Sequence, residues 1–154
     1  GVSDLAERPV EALSGGQQQR VWIAMALAQE TDILLLDEPT TFLDWGYQLE
    51  VLELLSKLNR EHGLTVVMSL HDLNQAAQFA DRIAVLADGR LETIGSPGEV
   101  ITEPLINRVF RVHTHVTTGR DGRPFCSGFA ESFRDSGTPN HHGLIHGMAE
   151  HQTT

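Results

Sequence analysis

Three short clusters in this 154-residue chain combine the residue types needed to hold a phosphate anion, a divalent cation and an attacking water. The first is Leu13-Ser14-Gly15-Gly16-Gln17, directly ahead of a helical pattern. Ser14 can cap that helix, whose first turn presents unpaired N–H donors and a partial positive charge, and glycine lets an anion approach the main chain. Taken alone, the same run is more often a glycine turn capped by serine. The second cluster, Asp37-Glu38-Pro39-Thr40, closes the apolar run ILLL. In a parallel sheet that is the carboxyl edge, where ligands bind. Neighbouring strand residues face opposite sides, so the two carboxylates divide the work. One can hold Mg²⁺, directly or through water, while the other polarises an attacking water, as phosphoryl transfer requires. The plainer reading is a polar exit from a buried strand. The third cluster is His71-Asp72, where His71 ends the next strand and Asp72 caps the next helix. Two consecutive strands thus deliver polar residues to one sheet edge, and His71 can contact a terminal phosphate, although a lone strand-end histidine is more often structural.

The elements that must position these clusters follow from hydrophobic period. VWIAMALAQ reads as a helix with Val21, Ala24 and Ala28 on one face. Ile33 to Asp37 reads as a strand covered on both faces. Leu49, Leu52, Leu55 and Leu58 recur at helical spacing from Tyr47 to Asn59, and Gly63 ends that helix. LTVVMSL, DLNQAAQFA and RIAVLAD then give strand, helix, strand, so the fold class is α/β with a mainly parallel sheet and right-handed crossovers. Asp88-Gly89 is a two-residue hairpin signal that places an antiparallel strand at one edge. Ser96-Pro97-Gly98-Glu99 is a capping box with proline at the first helical position. A further helix from Glu103 to Phe110 and two weak strands, Val112 to Val116 and Pro124 to Cys126, complete the ordered part. Residues 127–154 are rich in Gly, Ser, Thr and His without periodicity and read as a disordered tail.

Composition narrows the function classes. Asp and Glu number 21 against 11 Lys and Arg, a formal charge of −10, which argues against a nucleic-acid or anionic-membrane binder. No run approaches the length of a membrane span, and GVSDLAERPV lacks the features of a signal peptide. The chain is expected to be soluble, with any membrane role acting through a partner. A single cysteine, Cys126, excludes an internal disulfide or multi-Cys zinc site and fits a reducing compartment. His141, His142, His146 and His151 fall in the tail. A transition-metal site there lacks a scaffold, so a solvated tail is the favoured reading. Trp22 and Trp45 read as packing residues rather than ligands.

LSGGQQQR, ILLLDEPT, TFLD at 41–44 and SLHD at 69–72 resemble, in order and spacing, the signature, Walker B, D-loop and H-loop of ABC-type ATPases. The likeness covers residues 1–126. VWIAMALAQ, DEPTTFLD, LHDLNQAAQFADRIAVLADG and TGRDGRPFC are most similar to ATP-binding subunits of importers for ferric siderophores, with haem and cobalamin importers near. The resemblance implies part of a P-loop NTPase fold, with residues 1–30 the end of a helical subdomain and 31–126 the remainder of the catalytic one. It implies ATP and Mg²⁺ as cofactors. Ser14, Gly15, Gly16 and Gln17 would meet the nucleotide of the other subunit in a head-to-tail homodimer, and Asp37 would organise Mg²⁺ through water. Glu38 would be the general base or water-positioning residue, His71 the γ-phosphate switch, and Asp44 an interface residue coupling two sites. Implied partners are a second ATP-binding subunit, transmembrane permease subunits and, through them, a periplasmic or lipoprotein substrate-binding protein, at the cytoplasmic face of the inner membrane.

The family's GxxxxGK[ST] phosphate loop, adenine-stacking aromatic and glutamine loop are not among these 154 residues. Lys57, the only lysine, lies in the leucine-spaced helix with no glycine run before it, so it is a solvated helix residue rather than the phosphate-loop lysine. The expectation is a C-terminal piece of the domain that is inactive by itself, with an apolar sheet edge and face left bare. Two other readings remain: a non-catalytic fragment, and the head of an ABC-type DNA-repair or chromosome ATPase, which the short signature-to-Walker B gap and the negative charge disfavour.

Overall fold

The protein is described here by a computed structural model covering residues 3–129 and 144–149. It divides into two compact units, the first running to Met68 and taking in Ala149, the second from Ser69 to Met148. The subdivision at residue 30 remains a proposal drawn from the resemblance.

The first unit opens with two 3-10 turns, Ser3–Leu5 and Val10–Ala12, followed by α1 (Gly15–Leu27), β1 (Ile33–Leu36), α2 (Trp45–His62) and most of β2 (Thr65–Leu70). β1 and β2 pair in parallel from Ile33↔Thr65 to Leu36↔Met68. Val51, Leu52 and Leu55 of α2 are buried with Ile23, Leu34 and Val66. Gly63 terminates α2 at φ 66°, its N–H bonded to the Asn59 carbonyl, a left-handed cap that glycine adopts without Cβ strain. Asn59 itself is buried and donates to the Leu64 carbonyl at 2.8 Å.

Three expectations change here. β1 is covered on one face only: Leu34 is buried, whereas Leu35 is 72% exposed and Ile33 is exposed beside it. A continuous apolar run satisfies a strand with one covered face as readily as one with two, so period could not separate them. The residue that α1 sinks into the core is Ile23, not the Val21-Ala24-Ala28 stripe. Trp22 and Trp45 stand exposed rather than packed.

The second unit contains α3 (Leu73–Phe79), β3 (Arg82–Ala87), β4 (Arg90–Gly95), α4 (Pro97–Val100), α5 (Glu103–Phe110), β5 (His113–Thr118), β6 (Pro124–Phe129) and β7 (Leu144–Ala149). Asp88 and Gly89 both adopt positive φ, 49° and 73°, the geometry of a tight I′ turn, and join β3 to β4 as an antiparallel hairpin. Ser96 donates to the Glu99 carboxylate through both N–H and Oγ, at 2.8 and 2.7 Å. Those bonds hold the Glu99 carboxyl below its usual range. β5 and β6 form a separate two-stranded sheet.

Two further expectations change. The sheet is mixed rather than mainly parallel, because β3 pairs antiparallel with β4 on one side and with β7 on the other, from Arg82↔Met148 to Leu86↔Leu144. The segment 127–154 was expected to lack regular structure, yet β6 continues to Phe129 and 144–149 form β7. LIHGMA carries neither proline nor a full charge, and the ladder groups along β3 supply a partner that local composition does not reveal. His141, His142 and His151 lie outside the described residues. Among the described residues, no helix is long and apolar enough to cross a membrane.

Candidate functional site

The start of α1 is built as a reciprocal cap. The Gln17 N–H donates to Ser14 Oγ at 3.4 Å, and the Ser14 N–H donates to Gln17 Oε1 at 3.0 Å. Gln18 Nε2 donates to the carbonyls of Val10 and Leu13, each at 3.1 Å, tying the incoming loop to the helix. Ser14 and Gly15 face solvent, whereas Gly16 is buried. A Cβ on Gly16 would meet the Tyr47 ring at 3.0 Å, and one on Gly15 would touch Leu43 at 3.4 Å. The two glycines therefore do different things. Gly15 leaves main chain open to an anion, while Gly16 lets the first turns of α1 and α2 approach closely. Gln17 is occupied by the cap, a use that the Ser-x-x-Gln spacing encodes.

The carboxylates follow β1 rather than ending it, since the strand stops at Leu36. Strand alternation does not separate them. Glu38 instead takes a left-handed conformation, φ 47°, which sets its direction relative to Asp37. Glu38 Oε2 accepts from the Thr41 hydroxyl at 2.9 Å, and the Thr41 N–H bonds the Glu38 carbonyl at 3.1 Å. This small turn points a half-buried carboxylate in a defined direction. Asp37 is exposed. Phe42 is a second left-handed residue, φ 63°, with its ring fully exposed. Non-glycine residues in this region carry strain of order 1 kcal/mol, and such positions cluster at functional sites. Asp44 sits at the N-cap of α2 without a side-chain cap bond and faces solvent. Asp37, Glu38 and Asp44 thus ride on one connection, against whose end the Gly15-Gly16 turn packs through Leu43 and Tyr47.

His71 belongs to the second unit. It is exposed, follows the last residue of β2, and precedes Asp72, whose Oδ1 accepts from the N–H groups of Asn74 and Gln75 at 2.7 and 3.1 Å. The expected cap on α3 is therefore present. Sequence reasoning did not find the polar links on α3: Asn74 to the Cys126 backbone, and Arg123 to carbonyls at the helix end.

The residues present fit a nucleotide in part. The exposed capped turn at Ser14 and Gly15 suits a phosphate, and the exposed Asp37 carboxylate suits a hydrated divalent ion. Among the described residues, no group of three or more His, Cys, Asp or Glu could hold a metal, so an ion at Asp37 would need oxygens from the nucleotide and water. Lys57 is exposed and lies 3.9 Å from Glu61 on the same helix, away from any glycine loop.

The capped glycine turn, the acidic pair after β1 and the histidine after β2 are the segments that resemble ABC-type motifs. The family profile described as ABC transporter matches residues 1–41. The iron(3+)-hydroxamate import ATP-binding protein FhuC of Bacillus subtilis is 51% identical over 127 residues, 82% of this chain and 47% of that protein. One solved structure, of a metal-chelate type ABC transporter in an inward-facing conformation, matches with TM-score 0.78 and 29% identity over 86% of this chain and 53% of its own. Another, a dimeric post-hydrolysis state of an ATP-binding cassette bound to ADP and Pi, matches with TM-score 0.54 and 46% identity over 61% and 40%. The chain belongs to the ABC transporter family of ATP-binding proteins. It spans about half the length of the curated relatives that it matches.

Proposed function

We propose that this chain contributes the signature, Walker B, D-loop and switch residues of an ATP-hydrolysing subunit that drives import of ferric siderophores. The observation that carries this is Glu38. A left-handed backbone and the Thr41 hydroxyl aim its carboxylate immediately beyond a parallel strand, next to an exposed Asp37. A general base must first lie within hydrogen-bond reach of the proton it takes. Glu38 accepts a proton from, or orients, the attacking water. Asp37 would hold Mg²⁺ through water, and the ion would neutralise charge on the phosphates. Ser14 Oγ and the Gly15 N–H bind phosphate oxygens. His71 hydrogen-bonds the terminal phosphate and reports its presence to α3. Gln17 supports this indirectly, by fixing the Ser14 backbone.

The siderophore reading is supported by the relative from Bacillus subtilis, whose name specifies iron(3+)-hydroxamate import. A second copy as partner is supported by the dimeric cassette among the solved structures. The signature turn and the Glu38 turn would then serve different nucleotides, each completed by the other copy. Permease subunits and, through them, an extracytoplasmic binding protein complete the assembly, which places this subunit at the inner face of the membrane.

Two measurements test the proposal. In the natural gene product assembled with its permease, Glu38→Gln is expected to keep ATP binding and to lose turnover by on the order of 100-fold or more. Undiminished turnover would remove Glu38 from the reaction. The 154-residue chain alone is expected to show no turnover, since its only lysine is held on α2, and Mg²⁺-dependent micromolar affinity in a fluorescent-nucleotide titration would contradict that.

A further inference from the structure

We infer that Asn74 and Arg123 are positioning residues for His71, so that the β5–β6 hairpin sets the stance of the switch; this rests on the reading of His71 given above. His71 is held from two directions. On one side the chain is fixed by β2, and on the other by Asp72 and α3.

α3 has seven residues, too few to be stable by itself. Its buried residues are Gln75, Ala76 and Ala77. Two of these are alanines, and a methyl group offers little packing to define where a helix sits. Polar links supply what packing does not, and they come from the hairpin. At the first turn, Asn74 Nδ2 donates to the Cys126 carbonyl at 3.0 Å while the Cys126 N–H donates to Asn74 Oδ1 at 2.7 Å. That pair uses both ends of one amide against one backbone residue, as a neighbouring strand would. At the last turn, Arg123 Nη1 donates to the carbonyls of Ala77 and Ala80, at 2.8 and 3.0 Å. A cation bonded to the carbonyls of a helix C-terminus is favoured by the helix dipole as well as by the bonds.

The hairpin is itself anchored. Glu103 of α5 accepts from the Val116 N–H at 2.9 Å and from His115 Nδ1 at 2.7 Å, and Asn107 accepts from the Thr114 N–H at 2.8 Å. A path of direct bonds therefore runs from α5 through β5 and β6 to both ends of α3, and the first of those ends lies three residues from His71. Cys126 joins through its backbone. Burial and the nearby Asp72 charge push its thiol pKa up.

The test reads His71 directly. In the full 154-residue chain carrying ¹⁵N-labelled histidine, Asn74→Ala and Arg123→Ala are each expected to displace the His71 imidazole resonances and to speed amide exchange across residues 73–79 by about tenfold. Thr117→Ala, which removes only a hydroxyl bond to the Phe125 carbonyl within the hairpin, is expected to leave both unchanged. Arg123→Lys, which keeps a cation near those carbonyls, is expected to recover most of the native spectrum. Faster exchange with unmoved His71 resonances overturns the inference, as does an equal displacement by Thr117→Ala. If Asn74→Ala does not fold, the same comparison is read from Asn74→Asp, which keeps the acceptor and loses the donor. In the assembled natural gene product, Asn74→Ala is expected to lower kcat by about tenfold with little change in KM for ATP. Loss of turnover in His71→Ala with normal kcat in Asn74→Ala overturns the positioning role alone, whereas normal turnover in His71→Ala overturns the reading of the switch on which it rests.

Discussion

The two units both bury apolar side chains, and they differ in the polar ties laid across that core. The first relies on apolar contact: Ile23, Leu34, Val51, Leu52, Leu55 and Val66 are buried, while Ile33, Leu35, Trp22, Met25, Phe42 and Trp45 of the same unit stand exposed. The second buries Ile83, Val85, Val100 and Ile106 as well, and adds side-chain bonds to backbone across long sequence separations, from α3 to β6 and from α5 to β5. The difference follows what each part carries. Asp37, Glu38 and Asp44 lie on the connection between β1 and α2, so their geometry depends on the local Glu38–Thr41 turn and on the β1 and α2 core beneath. His71 lies beside a short alanine-rich helix, so its geometry depends on bonds that reach it from the hairpin.

The largest expected effect tests the first half of this contrast. Leu52→Ala removes a fully buried side chain from α2 and is expected to lower stability in urea unfolding by about 2–5 kcal/mol. A loss under 1 kcal/mol would mean that the first unit does not rest on that core. The two helix caps give a sharper, smaller comparison. Asp72 accepts two N–H groups at 2.7 and 3.1 Å, whereas Ser14 accepts one at 3.4 Å. Asp72→Ala is therefore expected to cost about 1–2 kcal/mol and Ser14→Ala about 0.5 kcal/mol. The reverse order would show that distance and count at the cap do not govern these helix starts. Smallest is Leu35→Thr. It changes an exposed face, so stability should stay within about 0.5 kcal/mol, while self-association in light scattering should fall. An unchanged association state would mean that the bare face of β1 is not what brings copies together.

Much of this was legible because it is written locally. The Ser14 and Ser96 caps, the Asp88-Gly89 turn, the stop at Gly63 and the order of strands and helices each depend on residues within a few positions of one another. The acidic pair and His71 could be placed near strand ends for the same reason, although each lies just past its strand. What escaped depends on partners distant in sequence or on backbone choices that period does not encode. Asn74 and Cys126 are 52 positions apart, and nothing in either neighbourhood announces the other. Glu38 and Phe42 adopt positive φ without being glycine. Gly16 gave the same signal as Gly15, yet it is spent on the ring of Tyr47. ILLL reads alike whether one face or both are covered, and β7 has a composition shared with irregular chain.

β3 lies between two antiparallel neighbours that reach it over very different spans. Two residues separate Ala87 from Arg90, whereas 57 separate Leu86 from Leu144. Loop closure grows by about 0.6 kcal/mol per doubling of length, and this ratio is roughly five doublings, so closing β7 costs about 3 kcal/mol more in chain entropy than closing β4. The β3–β4 hairpin therefore forms early in folding and β7 zips on late.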